Sequence, residues 1–338
     1  MQLWLAWSAF ALIVVVIGIS GYHMCRAADD IAEISGLSRA WVGLLLLSVA
    51  TSLPELVTGT SSILLFQAPN VAIGDALGSC VFNMLILVVI EFFARGESLY
   101  ARVASGHSVS AAFGVILCGF IAFSTLVGPS IPWLSLGSIG AYTPIIFGAY
   151  AVSLYTIFHH ERRTLEAASP AMPKPDTPST GLRGPLLRYG GSALFVVSAG
   201  AMLPYVATHI AAAMHWSNTF VGTVFVAFAT SVPEAAVSMS AMWMRSVDLA
   251  VANLLGSNLF DAAIVGFDDL LFGGGPILSS VSPSHAVTAL TASIMSGVAI
   301  IGFSYRPRGR LFHVSSWVGL ALFCLYLFNA FVQFLHGE

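Results

Sequence analysis

One motif occurs twice, and the spacing of its copies constrains the fold of this chain more than any other feature. Residues 38–55 read SRAWVGLLLLSVATSLPE and residues 217–234 read SNTFVGTVFVAFATSVPE; the Ser, Val-Gly, Ala-Thr-Ser and Pro-Glu positions coincide at an offset of 179. After a one-residue gap, GDALGSCVFNMLI (74–86) matches ANLLGSNLFDAAI (252–264) at an offset of 178. Each copy therefore reads as one helix pair. A duplicated unit of this kind packs against its own image, so the orientation of the two copies decides the architecture.

Orientation follows from the apolar runs. Only 9% of the 338 residues are charged, against roughly 25% in a soluble domain, so the chain cannot cover itself with a solvated surface. A membrane helix needs about 20 mostly apolar residues. About ten such runs are present: 3–20, 40–66, 71–94, 108–127, 135–158, 188–208, 217–244, 248–271, 285–304 and 312–335. Five spans separate the two copies, so the copies cross the membrane in opposite senses, the inverted build whose sites lie near the bilayer midplane. The predicted fold is an all-α polytopic membrane protein of about ten transmembrane helices in two inverted five-helix repeats. Residues 1–158 form the first half, with its repeat at about 38–90, and 188–338 the second, with its repeat at about 217–270. The Pro- and Ser-rich stretch 159–187 reads as a cytoplasmic linker.

Charge placement orients the chain. All 13 Lys and Arg residues follow odd-numbered spans, which makes those loops cytoplasmic and places both termini outside. No basic patch is available to track nucleic acid. The four cysteines form no metal-binding spacing and read as small packed residues.

The chemistry lies in the repeated segments. Glu55, Glu234 and Asp261 fall mid-span, where each ionised side chain costs at least ~2.5–3.5 kcal/mol. No Lys or Arg shares that depth, so cations or protons must neutralise them. Pro54 and Pro233 lack an amide hydrogen and leave the carbonyls of Ala50 and Ala229 without helical donors. The break exposes carbonyls together with the hydroxyls of Thr51, Ser52, Thr230 and Ser231. On the following helices, Ser79 with Asn83 and Ser257 with Asp261 are i,i+4 pairs on one face. Carboxylate, amide, hydroxyl and carbonyl oxygens suit Ca²⁺ or Na⁺ rather than zinc or copper. A lone proline kink or a small-residue stripe is ordinarily structural, but two matched copies of the whole pattern are not explained that way.

The motifs ATSLPE (50–55), GSCVFN (78–83), ATSVPE (229–234) and GSNLFD (256–261) resemble the α-repeats of the cation/calcium exchanger superfamily, in particular its prokaryotic sodium/calcium exchangers. The resemblance extends over nearly the whole chain. It implies that Glu55 and Glu234 are central Ca²⁺ ligands shared with Na⁺. It further implies that Thr51, Ser52, Ser79, Thr230, Ser231 and Ser257 line Na⁺ sites, with the carbonyls of Ser48 and Ala227 completing the shell. Asn83 and Asp261 would face one another across the pseudo-twofold axis. The departures are Ala for the usual Gly at Ala50 and Ala229, Cys80 for Asn, and Asp75 where the second copy has Asn253. Asp75 adds a carboxylate either on the outer approach to the site or as a hydrated residue near a helix end. Glu91, Asp248, Asp268 and Asp269 are expected at the membrane interface.

The leading expectation is a secondary antiporter, not an enzyme, exchanging Na⁺ for Ca²⁺ across a prokaryotic inner membrane. It would act as a monomer with no prosthetic group. A proton-coupled antiporter of the same fold is the alternative. A cation channel and an intramembrane aspartyl protease using Asp75 and Asp261 are weaker readings, since neither accounts for the paired glutamates.

Overall fold

The computed structural model describes residues 2–35, 48–94, 98–104, 106–130, 135–168, 181–244, 246–307, 309 and 315–336. The start of the second expected span (40–47) and positions 169–180 of the expected linker lie outside the described residues. Among the described residues the apolar runs are helical apart from a short hairpin at 135–140. The first half comprises α1 (Leu3–Ser35), α2 (Ser48–Thr51), α3 (Leu53–Leu64), α4 (Pro69–Phe93), α5 (His107–Val127) and α6 (Tyr142–Ala168). The second comprises α7 (Arg183–Met214), α8 (Asn218–Thr230), α9 (Val232–Trp243), α10 (Val247–Phe272), α11 (His285–Tyr305) and α12 (Trp317–His336). Among the described residues seven helices are long and apolar enough to cross a membrane, and the bent pair α8–α9 makes eight; counting α2–α3 as a second broken span, and α6, gives ten.

Two boundaries differ from the sequence reading. The fifth span was expected from residue 135, but an antiparallel hairpin, β1 (Ser135–Leu136) with β2 (Ile139–Gly140), precedes α6. Gly137, at φ +70°, opens the two-residue turn, where positive φ matches the strand twist. The helices flanking the expected linker also run further, to Ala168 and from Arg183.

The offset of the repeat persists through the packing. Gly21 of α1 lies against Pro233, where a Cβ would come within 2.4 Å of the ring, and Gly200 of α7 lies 3.4 Å by the same measure from the Pro54 carbonyl. Each half thus places a glycine of its first helix on the proline break of the other half. His107 Nε2 at the head of α5 lies 3.0 Å from Asp248, and His285 Nε2 at the head of α11 lies 3.2 Å from Asn70. These residues are related by the same 178-residue step.

Burial sorts the helices. Within the most apolar stretch of α10, 94% of residues are buried, against 17% in α1. The central pair α4 and α10 is therefore enclosed, while α1 and α12 present side chains such as Trp4, Leu12, Phe328 and Phe331 outward, as lipid-facing helices do.

Of the four acids expected at the membrane interface, Glu91, Asp268 and Asp269 are fully buried in the protein and Asp248 is substantially exposed. Glu91 and Asp269 are images of one another at offset 178, and both anchor the last helix of a half. Glu91 accepts hydrogen bonds from Ser98 Oγ (2.9 Å), Ser315 Oγ (2.6 Å) and the Ser316 amide (3.0 Å) ahead of α12. Asp269 accepts from the Gly140 amide ahead of α6 and the Ile277 amide (both 2.7 Å), and from Tyr142 Oη (2.6 Å) and Thr143 Oγ1 in the first turn of α6. A carboxylate at a helix N-terminus satisfies amides that have no intrahelical acceptor and complements the helix dipole. That is why these acids tolerate burial.

Candidate functional site

The breaks in α2–α3 and α8–α9 fall one residue after each Thr. Ser52 sits between helices at φ −87°, ψ 13°, and Ser231 at φ −82°, ψ 7°; the second pair is bent by 44°. Pro54 and Pro233 occupy the first turn of α3 and α9, where a missing amide is tolerated. A π-helical segment, Val221–Val226, precedes the second break; such segments cluster at functional sites, and the sequence reading did not foresee it. It faces α4 at close range. A Cβ on Gly78 would lie 2.3 Å from the Thr223 carbonyl, and one on Gly74 would lie 3.0 Å from the Thr223 amide. Glycine at these positions lets α4 meet the widened turn backbone to backbone.

The breaks, α4 and α10 bring the candidate residues together in two matching sets. Ser52 Oγ donates to Glu234 Oε1 (3.0 Å) and Ser231 Oγ to Glu55 Oε1 (3.3 Å). Ser257 Oγ donates to Glu234 Oε1 (3.3 Å) and Ser79 Oγ to Glu55 Oε1 (3.5 Å). Thr51 Oγ1 lies 3.1 Å from Ser257 Oγ, and Thr230 Oγ1 lies 3.5 Å from Ser79 Oγ. Thr51 donates to the Ser48 carbonyl at 3.1 Å, and Thr230 Oγ1 lies 3.3 Å from the Ala227 carbonyl. Between the halves, Asn83 Nδ2 donates to Asp261 Oδ2 at 3.3 Å, and Cys80 Sγ to the Asn258 carbonyl at 3.6 Å. Every candidate side chain is at most 1% exposed.

Asp75 is fully buried and accepts from Thr230 Oγ1 at 2.8 Å, which corrects the hydrated helix-end reading. Its image Asn253 instead donates to Ser238 Oγ at 3.0 Å. Asp75 and Asp261 are therefore held by different partners, Thr230 and Asn83, and do not form the carboxylate pair that an aspartyl protease would need.

One oxygen of each acid lacks a partner. Among the described residues, Glu55 Oε2, Glu234 Oε2, Asp261 Oδ1, Asp75 Oδ2 and Asn83 Oδ1 are buried without a hydrogen bond. An unpartnered buried polar atom is costly, and here they gather where no basic residue exists. Among the described residues no three His, Cys, Asp or Glu side chains converge closely enough to hold a metal alone. Any cation must therefore draw on the hydroxyls and carbonyls as well, the mixed oxygen shell of a hard cation.

The sequence pattern of the family described as sodium/calcium exchanger protein matches residues 5–158 and 186–335. The chain belongs to that family. An uncharacterized membrane protein of Methanocaldococcus jannaschii is 26% identical over 89% of this chain and 88% of its own length. The inner membrane protein YrbG of Escherichia coli is 24% identical over 85% and 87%. Among solved structures, the sodium-calcium exchanger NCX_Mj matches 96% of this chain and 97% of its own at a TM-score of 0.60 and 21% identity. At that identity the likeness establishes the common fold. The family is one of membrane ion exchangers, and this member shares its all-α polytopic build in two repeats.

Proposed function

We propose that this exchanger moves Ca²⁺ against Na⁺ by alternating access, with Glu55 and Glu234 as the shared ligands. The observation that supports this most is the pair of mirrored glutamates, each with one oxygen held by serines from both halves and the other unpartnered. Ionised Glu55, Glu234 and Asp261 carry −3 together. One Ca²⁺ leaves −1, removed by a proton on Asp261, whose Asn83 contact does not require it to ligate calcium. Na⁺ ions at the glutamates and in the Thr/Ser pockets neutralise the same acids, so the two ions compete for shared oxygens. Crossing without ions would carry uncompensated carboxylates through a low-dielectric interior, which disfavours leak and enforces exchange.

The remaining parts of the reading are a monomer with both termini outside and residues 159–187 as a cytoplasmic linker between halves. The test is ⁴⁵Ca²⁺ uptake into proteoliposomes loaded with Na⁺, compared with K⁺ and with a pH gradient. Uptake driven by Na⁺ is expected. Uptake driven by the pH gradient alone would replace Na⁺ with H⁺ as the counter-ion, a reading to which buried Asp75 lends its extra carboxylate.

A further inference from the structure

Apart from Asp261 at the centre, two buried acids break the mirror symmetry of the site, and both lie on the same side of it. The pseudo-twofold passes between the levels of Cys80 and Asn83 on α4 and of Asn258 and Asp261 on α10, since each residue contacts its own image. The helices run antiparallel: Pro69 at the start of α4 and Phe272 at the end of α10 line one cavity. At 1.5 Å per residue, Asp75 and Asp268 both lie roughly 10–13 Å from that level, in the same direction. Their images at the matching depth on the opposite side are Asn253 and Ile90. Leaving aside Glu91 and Asp269, which anchor helices, and Asp248, which is exposed, one approach along α4 and α10 thus carries two buried carboxylates where the other carries an amide and an aliphatic side chain.

Neither acid is used by the fold as Glu91 and Asp269 are. Asp268 is fully buried, and among the described residues both its oxygens lack a partner, as does Asp75 Oδ2. The Asp268 carboxylate rests against Gly59 of α3, where a Cβ would fall 2.8 and 2.9 Å from its two oxygens. Gly59 lies one turn beyond Glu55 on the same face. One turn further out again, Ile63 and Phe272 line the cavity of about 380 Å³ together with Gln67 and Pro69. Asp75 lies one turn outward of Ser79 on α4 and binds Thr230 of the central set. The order from the surface is cavity, Asp268, Asp75, then Glu55.

We infer that Asp268 and Asp75 form a one-sided staging subsite for a cation, between the cavity at Gln67 and the central glutamates. The inference rests on the glutamates being the exchange site. A cation there would complete the shell of otherwise unpartnered carboxylates. It would also make ion capture easier from the side of residues 65–68 than from the opposite side.

Two measurements on the full chain test this. In vesicles of fixed orientation, ⁴⁵Ca²⁺ exchange is followed with Ca²⁺ varied on one side at a time. Asp268→Asn should raise the half-saturating concentration at least about threefold on the side of residues 65–68 and less than twofold on the other. Equal shifts on both sides, or no shift, would overturn the subsite. The second measurement needs no transport: thermal unfolding in detergent with Ca²⁺ titrated. The Glu55→Gln/Glu234→Gln double variant should keep a weak Ca²⁺-dependent stabilisation that Asp268→Asn removes. Absence of that residual stabilisation, or its survival in the triple variant, counts against the proposal. Asp268→Asn is nearly isosteric and removes an unpaired charge, so its ion-free melting temperature should not fall. If that variant is not recovered folded, Asp75→Asn tests the same subsite from the other helix. Ca²⁺ exchange that persists in the glutamate double variant would refute the central assignment instead, a distinguishable result.

Discussion

Glu234→Gln isolates charge from geometry. Glu234 Oε1 accepts from Ser52 and Ser257, while Oε2 is unpartnered. A glutamine oxygen can keep both serine hydrogen bonds, which turns its NH₂ group toward the position where a cation would sit. Breaking a buried ion pair by removing one partner costs about 3–5 kcal/mol, and each 1.4 kcal/mol is tenfold in affinity. Calcium affinity should therefore fall by roughly two to three and a half orders of magnitude. At a Ca²⁺ concentration 100-fold above the wild-type dissociation constant, binding stabilises the wild type by about 2.7 kcal/mol. A variant whose constant has risen 100-fold gains only about 0.4 kcal/mol under the same conditions by the same relation. Calorimetric or fluorescence-detected unfolding with and without Ca²⁺ reads this directly, and ⁴⁵Ca²⁺ flux should vanish in parallel. The ion-free variant should be no less stable than wild type, because a buried unpartnered anion has become neutral. A variant that retains most of the wild-type Ca²⁺ stabilisation while remaining folded would refute Glu234 as a ligand.

Asp261→Asn should lower Ca²⁺ affinity less than tenfold and change how Na⁺ competes, measured as the shift in half-inhibiting Na⁺ during ⁴⁵Ca²⁺ binding. Gly78→Ala puts a Cβ 2.3 Å from the Thr223 carbonyl and 2.8 Å from Ala227 Cβ; overpacking of this kind costs about 1–3 kcal/mol, visible as a lower melting temperature even without ions. Asp269→Ala strands the donors of Gly140, Tyr142, Thr143 and Ile277, each worth about 1–3 kcal/mol when buried unmet, so it should destabilise more than any single serine-to-alanine change in the site. With native cysteines replaced, cysteines at Gln67 and Ser280 should react with an impermeant thiol reagent from outside, and those at Gly181 and Gly309 only after permeabilisation. The opposite pattern would reverse the orientation while leaving the repeat intact.

The sequence carried the site further than it carried the loops, for a physical reason. Proline breaks, paired acids and i,i+4 hydroxyls are local features whose consequences reach only one or two turns, so ATSLPE and GSNLFD specify their own geometry. Hairpin β1–β2 was missed because 135–140, which reads SLGSIG with two serines and two glycines, was absorbed into the apolar run that follows it. The burial of Glu91 and Asp269 was missed because proximity to a span end was taken as proximity to water. Extending the offset of 178 by eight residues beyond Asn83 and Asp261 pairs these two acids, and a paired acid at the same position in both halves is a signal of an internal partner. The π segment at Val221–Val226 had no local signal, since VGTVFV is compatible with an ordinary helix. What selects the wider turn is its contact with Gly74 and Gly78, a long-range property.

Alternating access in an inverted repeat needs two arrangements of nearly equal free energy, one the mirror of the other, and strict symmetry would make the two faces of the carrier equivalent. Direction must then enter through positions where the copies differ. Two differences beside the site change charge and not shape: Asn83 against Asp261, Asp75 against Asn253. Near-isosteric substitutions leave packing matched, so the two arrangements stay close in energy, while the electrostatic potential differs between the two approaches. Ile90 against Asp268 changes shape as well as charge, and it is placed where Gly59 makes room for the acid. At two of these three positions the copies keep closely matched shapes, while the extra buried carboxylates Asp75 and Asp268 fall on one approach, the asymmetry through which we infer direction enters.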